Sequence, residues 1–374
     1  MKKILCLLLV FLSLAGSVPR VVFSSEAPDL SASGAVIINA ATKEIIFGIN
    51  EKKSLPMAST TKIMTALLTL EAGNLYEEFT VDKEAIKIEG TSMGLREGDK
   101  ATLYSLCVGM LLSSGNDAAS AAAVRISGTE EKFVSLMNQR AKEMGLDNTR
   151  FENPTGLHSE NHYSTAYDMA LLGAAALENE LLRENCSEKS IQVSFGEPAY
   201  SRTLYNHNKL LTYSEEYLGI KTGFTKKAGR CLVSAREREG VLLVAVTLND
   251  KDDWADHEEL YDYAFSRLQK TEFSGGEVSF PAVSGEKGKI MGAYEGGEVY
   301  YIGNEPTMKV IAEKFLYAPI KKGEEIGRVE FYQDGKIIKS FPVLASEENP
   351  LSNQKLNIFQ KLVNLLRRIF ALKK

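Results

Sequence analysis

The pattern of apolar and polar residues predicts both helices and strands in this chain. Residues 55–73 are apolar on almost every side after Pro56, which predicts a buried helix that begins near this proline. Residues 103–112 predict a second buried helix, and a third is expected from Ala118 onward. Residues 34–48 predict two strands around a polar turn, and we expect this hairpin to join the sheet against which the first helix packs.

The pattern changes from mixed to mainly strand-like near residue 278. Amphipathic helical spacing precedes this point in residues 130–144 and 256–268, and capping residues predict a helix start in residues 164–172. Strand patterns precede it in residues 220–225, 232–235 and 241–248. From residue 278 to residue 344, alternating apolar and polar positions, as in residues 309–314 and 328–332, predict a small β-rich unit.

The first 25 residues have the pattern of a secretory signal peptide. Two lysines precede an apolar run from residue 4 to residue 15, which is too short to span a membrane comfortably as a permanent helix. Small residues at positions 15–17 and 24–25 offer cleavage points, and the sequence does not choose between them. The alternative is a retained anchor helix. Export of the mature chain is therefore expected.

The last 26 residues predict a helix that lies in a membrane interface. From Asn349 to Lys374 there are six basic residues and no acidic residue. Apolar side chains recur every three or four positions in residues 354–373, and basic or amide side chains occupy the opposite face. Such a helix can place its basic side toward anionic lipid. The alternatives are a helix packed on the protein's own core and a coiled-coil segment.

Composition narrows the possible functions. A chain of 374 residues with 44% hydrophobic residues can bury a large core and is expected to hold two domains. The net charge of −5 argues against a nucleic-acid partner. Cys6 belongs to the leader, and the odd number of cysteines that follow, Cys107, Cys186 and Cys231, shows no metal-binding spacing. We therefore expect no metal and no cofactor, and we interpret Cys107 and Cys231 as small core residues.

Ser59 and Lys62 are the first candidate catalytic pair. Their spacing of three residues places both side chains on one face of a helix, where the amine can take a proton from the hydroxyl. A lysine beside such an apolar helix is poorly solvated, and desolvation favours the neutral amine that a general base needs. The Ser-x-x-Lys motif alone is weak evidence, because it often pairs a surface serine with a surface lysine.

Two further segments offer polar groups at unusual positions. Small residues in Ser114-Gly-Asn116 allow a tight turn between two apolar helices, which leaves a hydroxyl and an amide at their junction. The alternative is a helix cap. In the predicted strand at residues 220–225, Gly223 lets another molecule's backbone approach, and Lys221 and Thr222 offer a positive charge and a hydroxyl at its rim.

These three motifs, in this order, resemble the signature of the penicillin-recognising serine enzymes. The wider sequence is similar to the low-molecular-mass D-alanyl-D-alanine carboxypeptidases, peptidase family S11, over roughly residues 35–268. This similarity is carried by residues 93–99, 112–118, 153–157, 162–166, 219–225 and 228–229. The resemblance implies an α/β (α+β) serine β-lactamase/transpeptidase-like domain with a central antiparallel sheet flanked by helices. A small β-rich domain and a C-terminal amphipathic helix are expected to follow.

The resemblance also implies a division of the chain and a location. The signal peptide would be residues 1–25, the D,D-peptidase domain 26–275, the β-rich domain 276–345, and the linker with its membrane-anchor helix 346–374. The enzyme would act at the outer face of the bacterial cytoplasmic membrane. Its partners would be peptidoglycan stem peptides that end in D-Ala-D-Ala, β-lactam antibiotics and the anionic membrane surface.

The chemistry implied by the resemblance is an acyl-enzyme mechanism. Ser59 would attack the carbonyl between the two terminal D-alanines, and Lys62 would take its proton. Ser114 would relay a proton to the leaving D-alanine, Asn116 would hold the substrate backbone, and Lys221 would hold Ser114 and attract the terminal carboxylate. The backbone amides of Ser59 and Phe224 would form the oxyanion hole, with Thr222 and Gly223 on the same strand.

Four points remain open in the sequence. His207 occupies a position where certain relatives carry a carboxylate-binding arginine, so that contact is uncertain here. A class A β-lactamase has the same three motifs, but it also needs a Glu-x-x-Leu-Asn segment, which is absent between Asn148 and Leu172. The alternative from another class is a catalytically silent, membrane-bound peptidoglycan-recognition module. A closely related alternative is an enzyme of the same class that catalyses transpeptidation or endopeptidase cleavage.

Overall fold

The computed structural model describes residues 26–352. The predicted signal peptide and terminal amphipathic helix therefore lie outside the described residues. The chain forms two compact units. The first, here called the catalytic unit, contains residues up to 38, residues 45–236 and residues 243–267; the second, here called the β unit, contains residues 39–44, 237–242 and those from 268 onward.

A five-stranded sheet with the order β2-β1-β9-β8-β7 forms the centre of the catalytic unit. The strands up to residue 250 are β1 (Gly34–Asn39), β2 (Ile45–Ile49), β3 (Phe79–Thr80), β4 (Lys100–Ala101), β5 (Ser190–Gly196), β6 (Ala199–Tyr205), β7 (Tyr217–Thr225), β8 (Gly229–Arg238) and β9 (Val241–Asp250). β1 pairs antiparallel with β2, and β7 pairs antiparallel with β8. The predicted hairpin at residues 34–48 is confirmed, and all six residues of β1 are buried.

Seven α-helices accompany this sheet in the described part of the chain. They are α1 (Lys62–Glu71), α2 (Leu103–Leu112), α3 (Asn116–Ser127), α4 (Glu130–Glu143), α5 (Ala166–Ala176), α6 (Glu180–Ser187) and α7 (Asp253–Phe265). The bounds predicted for α2 are confirmed. The side chain of Thr102 accepts a hydrogen bond from the backbone N–H of Ser105, which defines where this apolar helix begins. The predicted mixture of helices and strands is thus confirmed.

The first helix begins later than its sequence predicts. A 3₁₀ turn, Ala58–Thr61, precedes α1. Ala58 has a φ of +48°, a left-handed conformation that interrupts an α-helix. The expected start near Pro56 was therefore wrong, because the prediction had no signal for this conformation. By contrast, α3 begins two residues before Ala118, so Asn116 is the first residue of a helix and not part of a loop.

The β unit contains the strands β10 (Gln269–Phe273), β11 (Gly276–Val283), β12 (Lys289–Tyr294), β13 (Gly297–Tyr301), β14 (Thr307–Ile311), β15 (Leu316–Tyr317), β16 (Glu325–Gln333) and β17 (Lys336–Ala345). Six of them form a sheet with the order β14-β16-β17-β12-β11-β15. Its core includes Phe280, Ile290, Val329 and Val343. The predicted β-rich character of this part of the chain is confirmed. Within residues 26–352, no helix is long and apolar enough to cross a membrane.

Candidate active site

Ser59 lies in the 3₁₀ turn that leads directly into α1. The nucleophile candidate and Lys62 are in contact, since Lys62 Nζ donates a hydrogen bond to Ser59 Oγ over 3.0 Å. The hydroxyl of Thr60 donates to the Met57 carbonyl over 2.5 Å, and that of Thr61 donates to the Ala58 carbonyl over 2.8 Å. Both bonds close the turn around Ser59.

Lys62 is fully buried and has three polar neighbours. Its Nζ lies 2.7 Å from Asn116 Oδ1 and 2.6 Å from the carbonyl oxygen of Thr155, in addition to Ser59. Burial lowers the pKa of Lys62 well below its usual value, and the charge of Lys221 lowers it further, although Asp117 acts in the opposite direction. A neutral amine can donate its two N–H groups to Asn116 and Thr155 and keep its lone pair for the proton of Ser59.

Asn116 is held in one orientation at the beginning of α3. Its Nδ2 donates to the carbonyl of Glu89 over 2.6 Å, and its backbone N–H donates to the carbonyl of Thr91 over 2.7 Å. The neighbouring carboxylate of Asp117 accepts hydrogen bonds from the backbone N–H groups of residues 93–95 and from the hydroxyl of Ser92. The amide oxygen of Asn116 therefore points to Lys62.

β7 passes directly beside the nucleophile turn. A Cβ atom on Gly223 would lie 2.9 Å from the backbone nitrogen of Ser59 and 3.1 Å from the Cβ of Ala58, so only glycine allows this approach. Lys221 on the same strand is buried and donates to the carbonyl of Thr222 over 2.9 Å. Burial lowers the pKa of Lys221 to about 7. The strand thus brings a backbone edge to Ser59 and a titratable amine whose charge acts on Lys62.

One cavity of about 610 Å³ opens over the Ser59 hydroxyl. Its lining includes the candidate site residues Ser59, Ser114, His207, Thr222, Gly223 and Phe224. The buried side chains of Lys62, Asn116 and Lys221 adjoin this lining through the contacts given above. The structure therefore brings together all nine residues that the sequence singled out. Burial, and secondarily the charge of Lys221, lowers the pKa of His207.

The sequence of the chain matches a known protein family over most of the part that builds this cavity. The family model described as D-alanyl-D-alanine carboxypeptidase, peptidase S11, matches residues 21–252, more than half of the chain. A second model, described as the C-terminal domain of penicillin-binding protein 5, matches residues 300–350. The chain belongs to the S11 family of D-alanyl-D-alanine carboxypeptidases. It is therefore a serine hydrolase of the carboxypeptidase class.

Relatives of this S11 carboxypeptidase cover nearly its whole length. D-alanyl-D-alanine carboxypeptidase DacF of Bacillus subtilis is 30% identical over 93% of this chain and 95% of its own length. D-alanyl-D-alanine carboxypeptidase DacC of Escherichia coli is 31% identical over 86% of this chain and 85% of its own length. The crystal structure of DacD from Francisella tularensis has a TM-score of 0.62 at 25% identity and covers 91% of this chain and 98% of its own. The predicted fold class is thus confirmed for the described residues.

Five residues of the carboxypeptidase cavity were not predicted as site residues. These are Thr91, Lys209, Arg230, Asp253 and Trp254. Arg230 lies opposite Phe224 in the β7–β8 pairing, and no local motif in the sequence indicates this position. Asp253 and Trp254 belong to α7, and no local pattern indicates that the first turn of this helix reaches the cavity.

Replacing Gly223 by alanine should slow acylation of this carboxypeptidase without unfolding it. The added methyl group would press on the backbone nitrogen of Ser59, which is an expected oxyanion donor, and loss of such a donor typically costs about 10²–10³-fold in rate. The rate of penicillin acylation, measured by stopped-flow fluorescence, checks this result. Gly288→Ala is the matched control, because nothing lies within 4 Å of a Cβ there. A Gly223→Ala variant that acylates at the wild-type rate would contradict the prediction.

Proposed function

We propose that this enzyme removes the terminal D-alanine from peptidoglycan stem peptides through an acyl-enzyme on Ser59, and that penicillins acylate the same hydroxyl. The observation that carries the proposal is the 3.0 Å contact between Ser59 Oγ and the buried Nζ of Lys62. A lysine with a lowered pKa at this distance is suited to accept the serine proton during attack.

The proposed acylation step begins when Lys62 takes the proton of Ser59. The serine oxygen then bonds to the carbonyl carbon between the two D-alanines, and the resulting oxyanion is stabilised by the backbone N–H groups of Ser59 and Phe224. The peptide C–N bond breaks as Ser114 gives its proton to the nitrogen and takes up the proton held by Lys62, so that D-alanine leaves and Lys62 is neutral again. The close passage of Gly223 beside the Ser59 nitrogen supports this placement of the two donors.

The remaining site residues would bind substrate and complete the turnover. Asn116 would hold the peptide backbone, Thr222 would present its hydroxyl in the cavity wall, and the buried amine of Lys221 behind it would add positive charge when protonated. His207 would lie at the rim as a mainly neutral side chain. In the second step, water gives a proton to Lys62 as its oxygen adds to the ester carbonyl, the bond to Ser59 breaks, and Lys62 returns the proton to the serine oxygen. No metal or cofactor is required for this sequence of steps.

A labelled penicillin tests the proposal directly. We expect one covalent adduct per chain on Ser59, identified by mass spectrometry of a tryptic digest, and release of free D-alanine from a stem pentapeptide. A folded protein that takes no label and releases no D-alanine would instead support the silent recognition module. Accumulation of a cross-linked product in place of D-alanine would identify a transpeptidase.

The β-lactamase alternative is not favoured. A serine β-lactamase of class A positions a glutamate to activate the water that removes the acyl group. In this chain, the segment between residues 148 and 172 presents the backbone carbonyl of Thr155 to Lys62. A carbonyl oxygen accepts hydrogen bonds but cannot take a proton from water. We therefore expect the penicillin adduct to be long-lived.

We further propose that the enzyme is exported and attached to the outer face of the cytoplasmic membrane by its basic C-terminal segment. The mature chain should sediment with anionic vesicles, and about 1 M salt should release much of it, because salt screens the attraction between basic residues and anionic lipid. A truncated protein that ends at Glu348 should remain in the supernatant. Its sedimentation with the same vesicles would contradict the prediction, and neutral vesicles are the control.

A further inference from the structure

The cavity contains a permanent positive charge that the proposed catalytic steps leave unused. Arg230 lies on β8 directly opposite Phe224 on β7, so it is next to the strand that passes Ser59. Its side chain is 43% exposed and lines the same cavity as Ser59 and Thr222. Because a guanidinium keeps its charge at every physiological pH, this group can attract an anion whenever substrate enters.

The guanidinium is held in place by the beginning of α7. Asp253 Oδ1 accepts hydrogen bonds from Arg230 Nε over 2.9 Å and from Nη2 over 2.5 Å, and the Asp253 side chain is only 4% exposed. The ring of Trp254 lies 5.7 Å from the guanidinium carbon. Within residues 26–352, Nη1 has no protein hydrogen-bond partner. One edge of a fixed arginine therefore remains available to a ligand.

The other cations near the cavity are less suited to bind a carboxylate. Burial lowers the pKa of His207, so this ring is mainly neutral at pH 7. Lys221 is buried and donates to the carbonyl of Thr222. Lys209 also lines the cavity, but its single ammonium lacks the planar pair of donors that matches a carboxylate. Arg230 is thus the cation with both a constant charge and a fixed position.

We propose that Arg230 binds the C-terminal carboxylate of the substrate through the guanidinium edge that Asp253 leaves free. This inference rests on the proposed function and makes it more specific. The arginine would act as a substrate-binding residue that selects peptides with a free C-terminal acid. It therefore favours removal of a terminal residue over cleavage inside a cross-linked peptide, which has no carboxylate at this place.

The test compares two stem peptides that differ only in the last group, a free acid and its C-terminal amide. In the Arg230→Gln variant, kcat/KM for the free acid should fall by about 10–100-fold, mainly through a higher KM, because a charge-assisted contact is lost. The rate for the amide should stay within about twofold of wild type, because that peptide never engages the guanidinium charge. Arg230→Lys should recover part of the preference for the acid.

Lys227→Gln is the matched control for loss of a positive charge. This exposed lysine lies in the turn between β7 and β8 but does not line the cavity, so the variant should keep the wild-type preference. The proposal is overturned if Arg230→Gln keeps the preference and the KM of wild type, or if both peptides lose activity equally. Failure of the proposed function has a different signature, since wild type would then release no D-alanine and take no penicillin label.

Discussion

Replacing Ser59 by alanine should yield a folded protein that takes no penicillin label and releases no D-alanine. The change removes the atom that would form the ester, and loss of a serine nucleophile typically lowers kcat by about 10⁶-fold. Lys62 keeps its contacts with Asn116 and Thr155, so the buried amine is not left without partners. Mass spectrometry of the labelled protein and a D-alanine release assay measure the two effects.

Ser135→Ala is a suitable control for loss of a serine hydroxyl. Ser135 is exposed on α4, does not line the cavity over Ser59, and donates to the carbonyl of Glu131. This variant should label and turn over as wild type does. A penicillin adduct that persists in the Ser59→Ala protein would transfer the role of nucleophile to another side chain, and tryptic mapping would identify it.

Replacing Lys62 by methionine should lower the rate of acylation by about 10²–10⁴-fold, the usual contribution of a general base. Methionine is close to lysine in length and apolar, so it fills the same buried space but cannot accept the Ser59 proton. The stopped-flow rate of penicillin acylation measures the loss. Lys52→Met is the control, because this lysine is exposed and precedes the 3₁₀ turn that contains Ser59. Wild-type acylation by the Lys62→Met protein would assign the role of base to another group.

The pH dependence of acylation should separate the two buried lysines. Lys62 acts as a base only when neutral, so the wild-type rate should fall as the pH decreases through its lowered pKa. Lys221 attracts substrate only when charged, so its pKa of about 7 should limit the alkaline side. The Lys62→Met variant should lose the acidic dependence and keep the alkaline one.

The Lys62→Met substitution should have only a modest effect on the free energy of unfolding. It removes the cost of burying an amine, but it leaves Asn116 Oδ1 and the Thr155 carbonyl without their donor. Because these two effects oppose each other, the free energy of unfolding in urea should change by less than about 3 kcal/mol. A loss of activity in this variant would then report on chemistry and not on folding.

Local sequence signals predicted the elements whose ends are fixed by local chemistry. The bounds of α2 followed from an apolar run, and the β1–β2 hairpin followed from two strand patterns around a polar turn. The start of α1 was missed because no local sequence signal indicates the left-handed conformation of Ala58. The eight-residue α6 and the β5–β6 hairpin were not predicted.

The same distinction between local and tertiary signals applies to the residues of the candidate site. Short motifs identified Ser59, Lys62 and Lys221, because each motif keeps its functional groups within a few residues. Arg230 and Asp253 were missed because their contact joins a strand to a helix 23 residues later, and only the folded chain brings the two side chains together. Sequence motifs therefore indicated the reaction, whereas tertiary packing revealed a determinant of which peptides can undergo it.

The burial of the three cysteines in the described part of the chain has a practical consequence. Cys107, Cys186 and Cys231 are all free and buried. Burial raises the pKa of the Cys186 and Cys231 thiols to about 12 and raises that of Cys107 as well, so the reactive thiolate is scarce at neutral pH. A cysteine introduced on the surface could therefore carry a maleimide dye while these native thiols remain in place, which opens the enzyme to fluorescence measurements of substrate entry.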